Sequence, residues 1–259
     1  MPLNVPVKQN EKLAAIVKRI DESVKLNTFW YCCNVNAINR LGINDHGPVH
    51  IRIVSNIALK ILRMLMEKGI QTSVEKDHQM SKDDAEVIVV LAACFHDIGH
   101  IVHRIHHEPF SVSIALDMLP GVLEGIYQER EKAIMMAEVL HAIYAHDTDI
   151  PPMTVEAGVL KIADALDMEE GRARIPFKAG TATIHAVSAL AIANVKLKPG
   201  EKKPVCIEIE MANSAGIFQV DNLLKPKLKN SGIAEYFEIH VEIIGDGTGE
   251  KKIVERYEI

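Results

Sequence analysis

The chain has 259 residues, 48% of them hydrophobic and 25% charged, which is enough to bury a large core. Its net charge of -6 gives no footprint for wrapping a nucleic-acid polymer, which needs a basic surface, although a local basic cleft is allowed. Cys32 and Cys33 are adjacent while Cys94 and Cys206 are isolated, so neither a disulfide framework nor a cysteine-built zinc site is expected. MPLNVPVKQN lacks an apolar signal core and the longest apolar run, Val87 to Phe95, is too short to span a membrane, so the expected location is cytoplasmic.

Residues 11–26 carry Leu13, Ile16, Val17, Ile20 and Val24 at 3.6-type spacing, which predicts one amphipathic helix. Phe29, Trp30 and Tyr31 follow, read as core packing ahead of a stacking platform for a base. In INDHGPVHIRIVSNIALKILRML, Asn44 or Asp45 can cap and Pro48 suits a first turn, so His50 enters at the start of a helix that Gly69 ends. The polar stretch TSVEKDHQMSKDD reads as a loop, with Ser81 capping the next helix.

The stretch Glu86 to His100, EVIVVLAACFHDIGH, is apolar on nearly all sides and so predicts the central helix of a bundle. It delivers His96 and Asp97 side by side at its C-terminal end, where burial of both costs several kcal/mol unless each is paired or bound to a metal. Gly99 predicts a break there. Pro109 then starts a helix through Leu119 that Pro120-Gly121 turns, EREKAIMMAEVLHAIYAHD forms another ending at His146, and a helix from about Val155 to Glu169 carries Asp164 and Asp167.

Beyond Pro176 the pattern changes. TIHAVSALAIAN reads as a short helix, PVCIEIEMA as a strand, AGIFQVDNLLKPKL as helical, and YFEIHVEII and KKIVERYEI as strands joined by a GDGTGE turn. The expected organisation is a helical unit, residues 1–176, followed by a small α+β unit, residues 177–259.

Histidine or aspartate thus stands on apolar helices at His50, at His96 and Asp97, and at Asp164, with His107 and His146 between. Bundles build metal sites from such inward side chains, and imidazole with carboxylate suits a first-row divalent metal. The order H…HD…D, with AACFHDIGH and LKIADALD as flanking text, resembles the HD superfamily of metal-dependent phosphohydrolases over about residues 40–170. The resemblance implies a mainly α fold, an HD-domain helical bundle with a small C-terminal α+β domain. It implies that His50, His96, Asp97 and Asp164 hold one metal. It also implies that His107 and His146 add a second, as in the family's binuclear members, with His106 and His141 as alternatives in register. Asp97 is then the candidate bridge and catalytic carboxylate, and His46, His100 and His103 are read as supporting or surface histidines.

The expected cofactor is a divalent transition metal, Mn, Fe, Co, Ni or Zn, possibly with Mg, at one or two ions per chain. The expected reaction is hydrolysis of a phosphomonoester or phosphodiester of a nucleotide-like small molecule by a metal-activated hydroxide. Arg172, Arg174 and Lys161 are the candidate substrate-binding cations, since guanidinium forks and ammonium groups fit phosphate oxygens. No GYP motif follows His146, so the cyclic-di-GMP phosphodiesterase subgroup is not expected. The alternatives carried beside hydrolysis are a di-iron oxygenase on the same scaffold and a non-catalytic nucleotide-sensing module. No membrane partner is expected, and a homodimer is compatible with the sequence.

Overall fold

The computed structural model describes residues 2–169 and 188–244, and the backbone of 256–258. The expected boundary at 176/177 and both Arg172 and Arg174 lie outside the described residues, as does the GDGTGE turn. Among the described residues no helix is long and apolar enough to cross a membrane.

Helix α1 (Glu11–Glu22) starts at Asn10, whose side chain accepts from the Leu13 N–H, and buries Leu13, Ile16 and Ile20. The single helix predicted over 11–26 is two. Ser23 interrupts it by accepting from the Leu26 N–H and so starting α2 (Val24–Asn34), while Asn27 Nδ2 donates to the freed carbonyls of Ile20 and Ser23. Val24 is consequently exposed.

Helix α3 (Pro48–Glu67) has Pro48 in its first turn, and Asp45 caps it by accepting the Gly47 and His50 N–H groups. The stretch expected to be a loop forms α4 (Ser73–His78) instead. Thr72 and Glu75 make a capping box there, and the buried Glu156 accepts the Ser73 and Val74 N–H groups, which supplies the tertiary support a six-residue helix needs.

Helix α5 (Lys82–Phe95) starts at Ser81 in a capping box with Asp84 and is buried from Asp84 to its end. It packs against α1, α3, α7 (Glu129–Ala145) and α8 (Val155–Leu166), the arrangement its all-round apolar sequence requires. A helix end leaves carbonyls without intrahelical donors, and α2 with its continuation supplies them. Trp30 Nε1–H donates to Cys94 O at 2.9 Å, and Asn36 Nδ2 donates to His100 O at 2.7 Å. Trp30 is therefore a buried anchor, and it fixes the end of α5 that carries His96.

After Asp97 the chain tightens into a 3₁₀ turn, Ile98–Ile101, and then enters α6 (His107–Leu123). Gly99 permits this because a Cβ there would lie 2.0 Å from His107 O and 2.7 Å from Ser111 N. Its own N–H donates to Ser111 Oγ at 2.8 Å, locking the first turn of α6 beside Asp97. Helix α6 runs through Pro120 to Leu123 where a turn was expected; Pro120 lies on the exposed side, where the carbonyl that loses its donor can reach water.

The C-terminal residues form a sheet in the order β1 (Ile192–Pro199), β2 (Val205–Met211), β3 (Phe237–Ile243), β4 (Arg256–Glu258). The β1–β2 and β3–β4 pairs are antiparallel, and β2–β3 is parallel. The parallel pair needs a crossover, supplied by the helical stretch that ends in α9 (Lys225–Lys229). The apolar end of TIHAVSALAIAN, read as helix, begins β1 at Ile192; short apolar runs do not distinguish the two by periodicity. Alternate residues Val205, Ile207, Ile209, Phe237, Ile239 and Val241 are buried and join the same core as the helices, with β1 and β2 against α3 and α9 against α8.

Candidate metal centre

The end of α5, the starts of α3 and α6, and the ends of α7 and α8 meet at one buried point. His50, His96, Asp97, His107 and His146 are each at most 6% exposed, and Asp164 lies at the rim. Asp97 occupies the middle and divides its oxygens. Oδ2 is 3.3 Å from His50 Nε2 and 3.4 Å from His96 Nε2, whereas Oδ1 is 3.1 Å from His107 Nε2 and 3.8 Å from His146 Nε2. Asp164 Oδ1 completes the first group at 3.3 Å from His50 Nε2 and 3.6 Å from His96 Nε2.

Each of the four imidazoles is oriented by its other nitrogen, which faces an acceptor. Nδ1–H donates to Asp167 Oδ2 from His50 (2.5 Å), to Ala93 O from His96 (2.9 Å), to Arg104 O from His107 (3.2 Å) and to Ile143 O from His146 (2.5 Å). A neutral ring that donates through Nδ1 presents a bare lone pair at Nε2. Yet His50 Nε2 and His96 Nε2 face each other at 3.1 Å, and His107 Nε2 and His146 Nε2 at 3.3 Å. Nitrogens set against one another and against carboxylates in this way are stabilised by positive charge between them, a shared proton or a metal ion.

The spacing fits a metal ion. A coordination shell of radius ~2.1 Å places neighbouring donors about 3.0 to 3.4 Å apart, and the edges of the first group run from 3.1 to 3.6 Å. His50, His96 and Asp97 form one group of converging ligand atoms, and Asp97, His107 and His146 form a second that shares the carboxylate. The Asp167–His50 pair is the carboxylate–histidine support that fixes a metal ligand's ring and raises its basicity.

The electrostatics agree with a site prepared for positive charge. Burial pushes the Asp97 carboxyl up, but the surrounding imidazoles of His96, His107, His46 and His50 outweigh it and hold the group well below the usual carboxylate range. Burial likewise raises Asp164, and the Lys227 ammonium with His50 and His96 brings it well below that range. Burial, aided by His96, keeps His146 neutral far below the ordinary imidazole value.

Of the residues singled out in the sequence, the structure brings together His50, His96, Asp97, Asp164, His107 and His146. The alternatives in register are elsewhere: His106 is exposed in a left-handed conformation before α6, and His141 Nε2 accepts from the Met153 N–H. Lys161 stands apart from the expected role of substrate cation. It is fully buried, and its Nζ donates to Ile150 O at 2.7 Å, with burial lowering its pKa to about 8.

The sequence pattern gives Asp167 and Lys227 no role at the site. His100, expected to support the site or lie on the surface, is fully buried with its ring 4.4 Å from that of His46 and 4.5 Å from that of His107. Among the described residues its Nδ1 meets no hydrogen-bond partner, and burial lowers its pKa to about 4. HDIGH itself placed it one turn past Asp97, which was the available signal. Lys227 had none, being 63 residues from Asp164.

The family profile of the HD domain matches residues 49–169, the span that runs from the start of α3 to the end of α8. An uncharacterized protein of Methanocaldococcus jannaschii is 43% identical over 228 residues, 88% of each chain. The chain belongs to the HD-domain family. The HD match places it in a superfamily of metal-dependent phosphohydrolases, and the ligand groups described above lie on the helices the profile covers. No solved structure matches the chain significantly.

Proposed function

We propose that this HD-domain protein is a metal-dependent phosphohydrolase acting on a mono- or diester phosphate of a nucleotide-like small molecule. The observation that carries the reading is the division of Asp97, with Oδ2 turned to His50 and His96 and Oδ1 turned to His107 and His146. A carboxylate so placed is suited to bridge two divalent ions, one held with His50, His96 and Asp164 and the other with His107 and His146. Bound there, the ions supply a water of lowered pKa and positive charge for the phosphate. The chain's own residues do the rest: backbone carbonyls and Asp167 hold every Nε2 lone pair inward, and the buried walls keep the ligand set fixed before substrate arrives.

The test is elemental analysis of the purified protein, followed by a panel of phosphate mono- and diesters assayed with the metal found. Turnover that disappears on chelation and returns with metal is the expected result. Tight nucleotide binding without turnover across several metals would overturn it in favour of a sensing module, and oxygen consumption by an iron-loaded protein in favour of an oxygenase.

A further inference from the structure

The HD helices carry His50, His96, Asp97, His107, His146 and Asp164, but a cation beside them comes from the C-terminal unit. Lys227, on α9, places Nζ 2.5 Å from Asp164 Oδ2, with the two side chains 15% and 18% exposed. Asp164 therefore has two faces: Oδ1 is turned to His50 and His96, and Oδ2 to the lysine. Lys227 does not occupy the ligand side of this carboxylate.

The lysine is positioned by packing as well as by charge. Gly158 of α8 lets the loop after α9 approach, since a Cβ there would lie 2.5 Å from Ser231 O. Asn230 Nδ2 donates to Thr148 O at 2.8 Å, Ser231 Oγ donates to Leu228 O at 2.7 Å, and Leu228 is buried. The segment that carries Lys227 is thus tied to α8 and to the loop after His146. Lys161, on the same helix as Asp164, is fully buried and donates to a backbone carbonyl, whereas Lys227 is, among the described residues, a partly accessible ammonium at Asp164.

An ammonium held against a carboxylate has little charge to offer a further anion. Once Asp164 shares its charge with a metal through Oδ1, the Lys227 charge is no longer balanced. We propose that Lys227 is the phosphate-binding cation of the loaded site, donating to a phosphate oxygen of the substrate, and that presenting it is a function of the C-terminal α+β unit. This rests on the hydrolase reading for the identity of the substrate, but the anion site itself can be tested without turnover.

The experiment compares wild type, Lys227→Met and Lys227→Arg, each saturated with Mn²⁺. It measures metal content, the Kd of inorganic phosphate by calorimetry, and KM and kcat on p-nitrophenyl phosphate. A charge-assisted bond lost to methionine is expected to weaken phosphate at least about tenfold and to raise KM by a like factor. Metal content should be unchanged, and arginine should restore most of the loss. If Lys227 only anchors Asp164, methionine will lower metal affinity and the thermal midpoint while phosphate binding at saturating metal stays at the wild-type value; that result overturns the proposal. Should Lys227→Met not fold, Lys227→Gln makes the same comparison. Absence of hydrolysis in wild type with a phosphate Kd that still depends on Lys227 would sink the hydrolase reading and keep the anion site.

Discussion

On β2 and β3, Cys206, Glu238 and His240 bring ligand atoms within 4.8 Å of one another, as His50, His96 and Asp97 do in the helical centre. The two clusters have similar chemistry on paper and different physics. Both oxygens of Glu238 already accept backbone N–H groups, from Glu201 at 2.8 Å and Lys202 at 3.2 Å, and the Cys206 thiol faces His240 Nδ1 at 3.6 Å. Burial pushes the Cys206 thiol up, away from the thiolate a metal needs. In the helical centre, by contrast, the Nε2 atoms of His50 and His96, and those of His107 and His146, face one another and the Asp97 and Asp164 carboxylates. Proximity of ligand types is common to both, but facing Nε2 pairs occur in one, and these are what positive charge stabilises.

The largest expected effect breaks the helical centre. Asp97→Ala removes the residue common to both ligand groups, so it should abolish metal retention and reduce metal-dependent hydrolysis by about three decades or more. His240→Ala should leave metal content at the wild-type value. Loss of an ion from the His240 variant would mean that the sheet cluster is a site after all.

Next in size is nuclearity. Metal-saturated protein should hold two ions per chain, and His146→Ala should hold one. A wild-type stoichiometry of one would return His107 and His146 to a structural role.

Asp167→Asn probes support without removing a ligand. Loss of the charged partner of His50 should lower metal affinity about 10- to 100-fold, with a smaller change in kcat once metal is saturating. Unchanged affinity would show that α3 alone orients the ring.

The smallest effect belongs to the sheet and concerns stability. Glu238→Gln weakens the bonds to the Glu201 and Lys202 amides and should cost about 1 kcal/mol, or about 2–4 °C in Tm, with metal content unaltered. Burial raises the Glu238 carboxyl, but the two amides and His240 outweigh it and lower the group below the ordinary 4.5. A depressed folded pKa stabilises fully above that value and the contribution is lost as pH falls through the folded pKa. The difference between wild type and variant should therefore shrink in acid titrations below pH 4.5, and a constant difference would remove the charge from the explanation.

Much of this protein was legible in its sequence because it is written in local patterns. Val87 to Phe95, apolar on nearly all sides and opened by a Ser81 cap, reads as a buried helix, and His96 and Asp97 at its end had to find partners. The apolar faces of α3, α7 and α8 placed His50, His146 and Asp164 at helix ends, and strict alternation marked β2 and β3. Ser23 escaped because the 3.6 periodicity continues across it, and α4 because its support includes Glu156, more than eighty residues away.

Periodicity says which face of a helix is buried, and burial says that a histidine or carboxylate needs a partner. It does not say which partner, since that is chosen by distances between elements far apart in the chain. The sequence by itself determined the buried helices and the types of ligand they carry. Only the tertiary structure decided that Asp97 turns one oxygen to His50 and His96 and the other to His107, His100 and His146, that Asp167 supports His50, that Lys161 is spent on Ile150, and that a lysine from beyond the HD helices stands at Asp164.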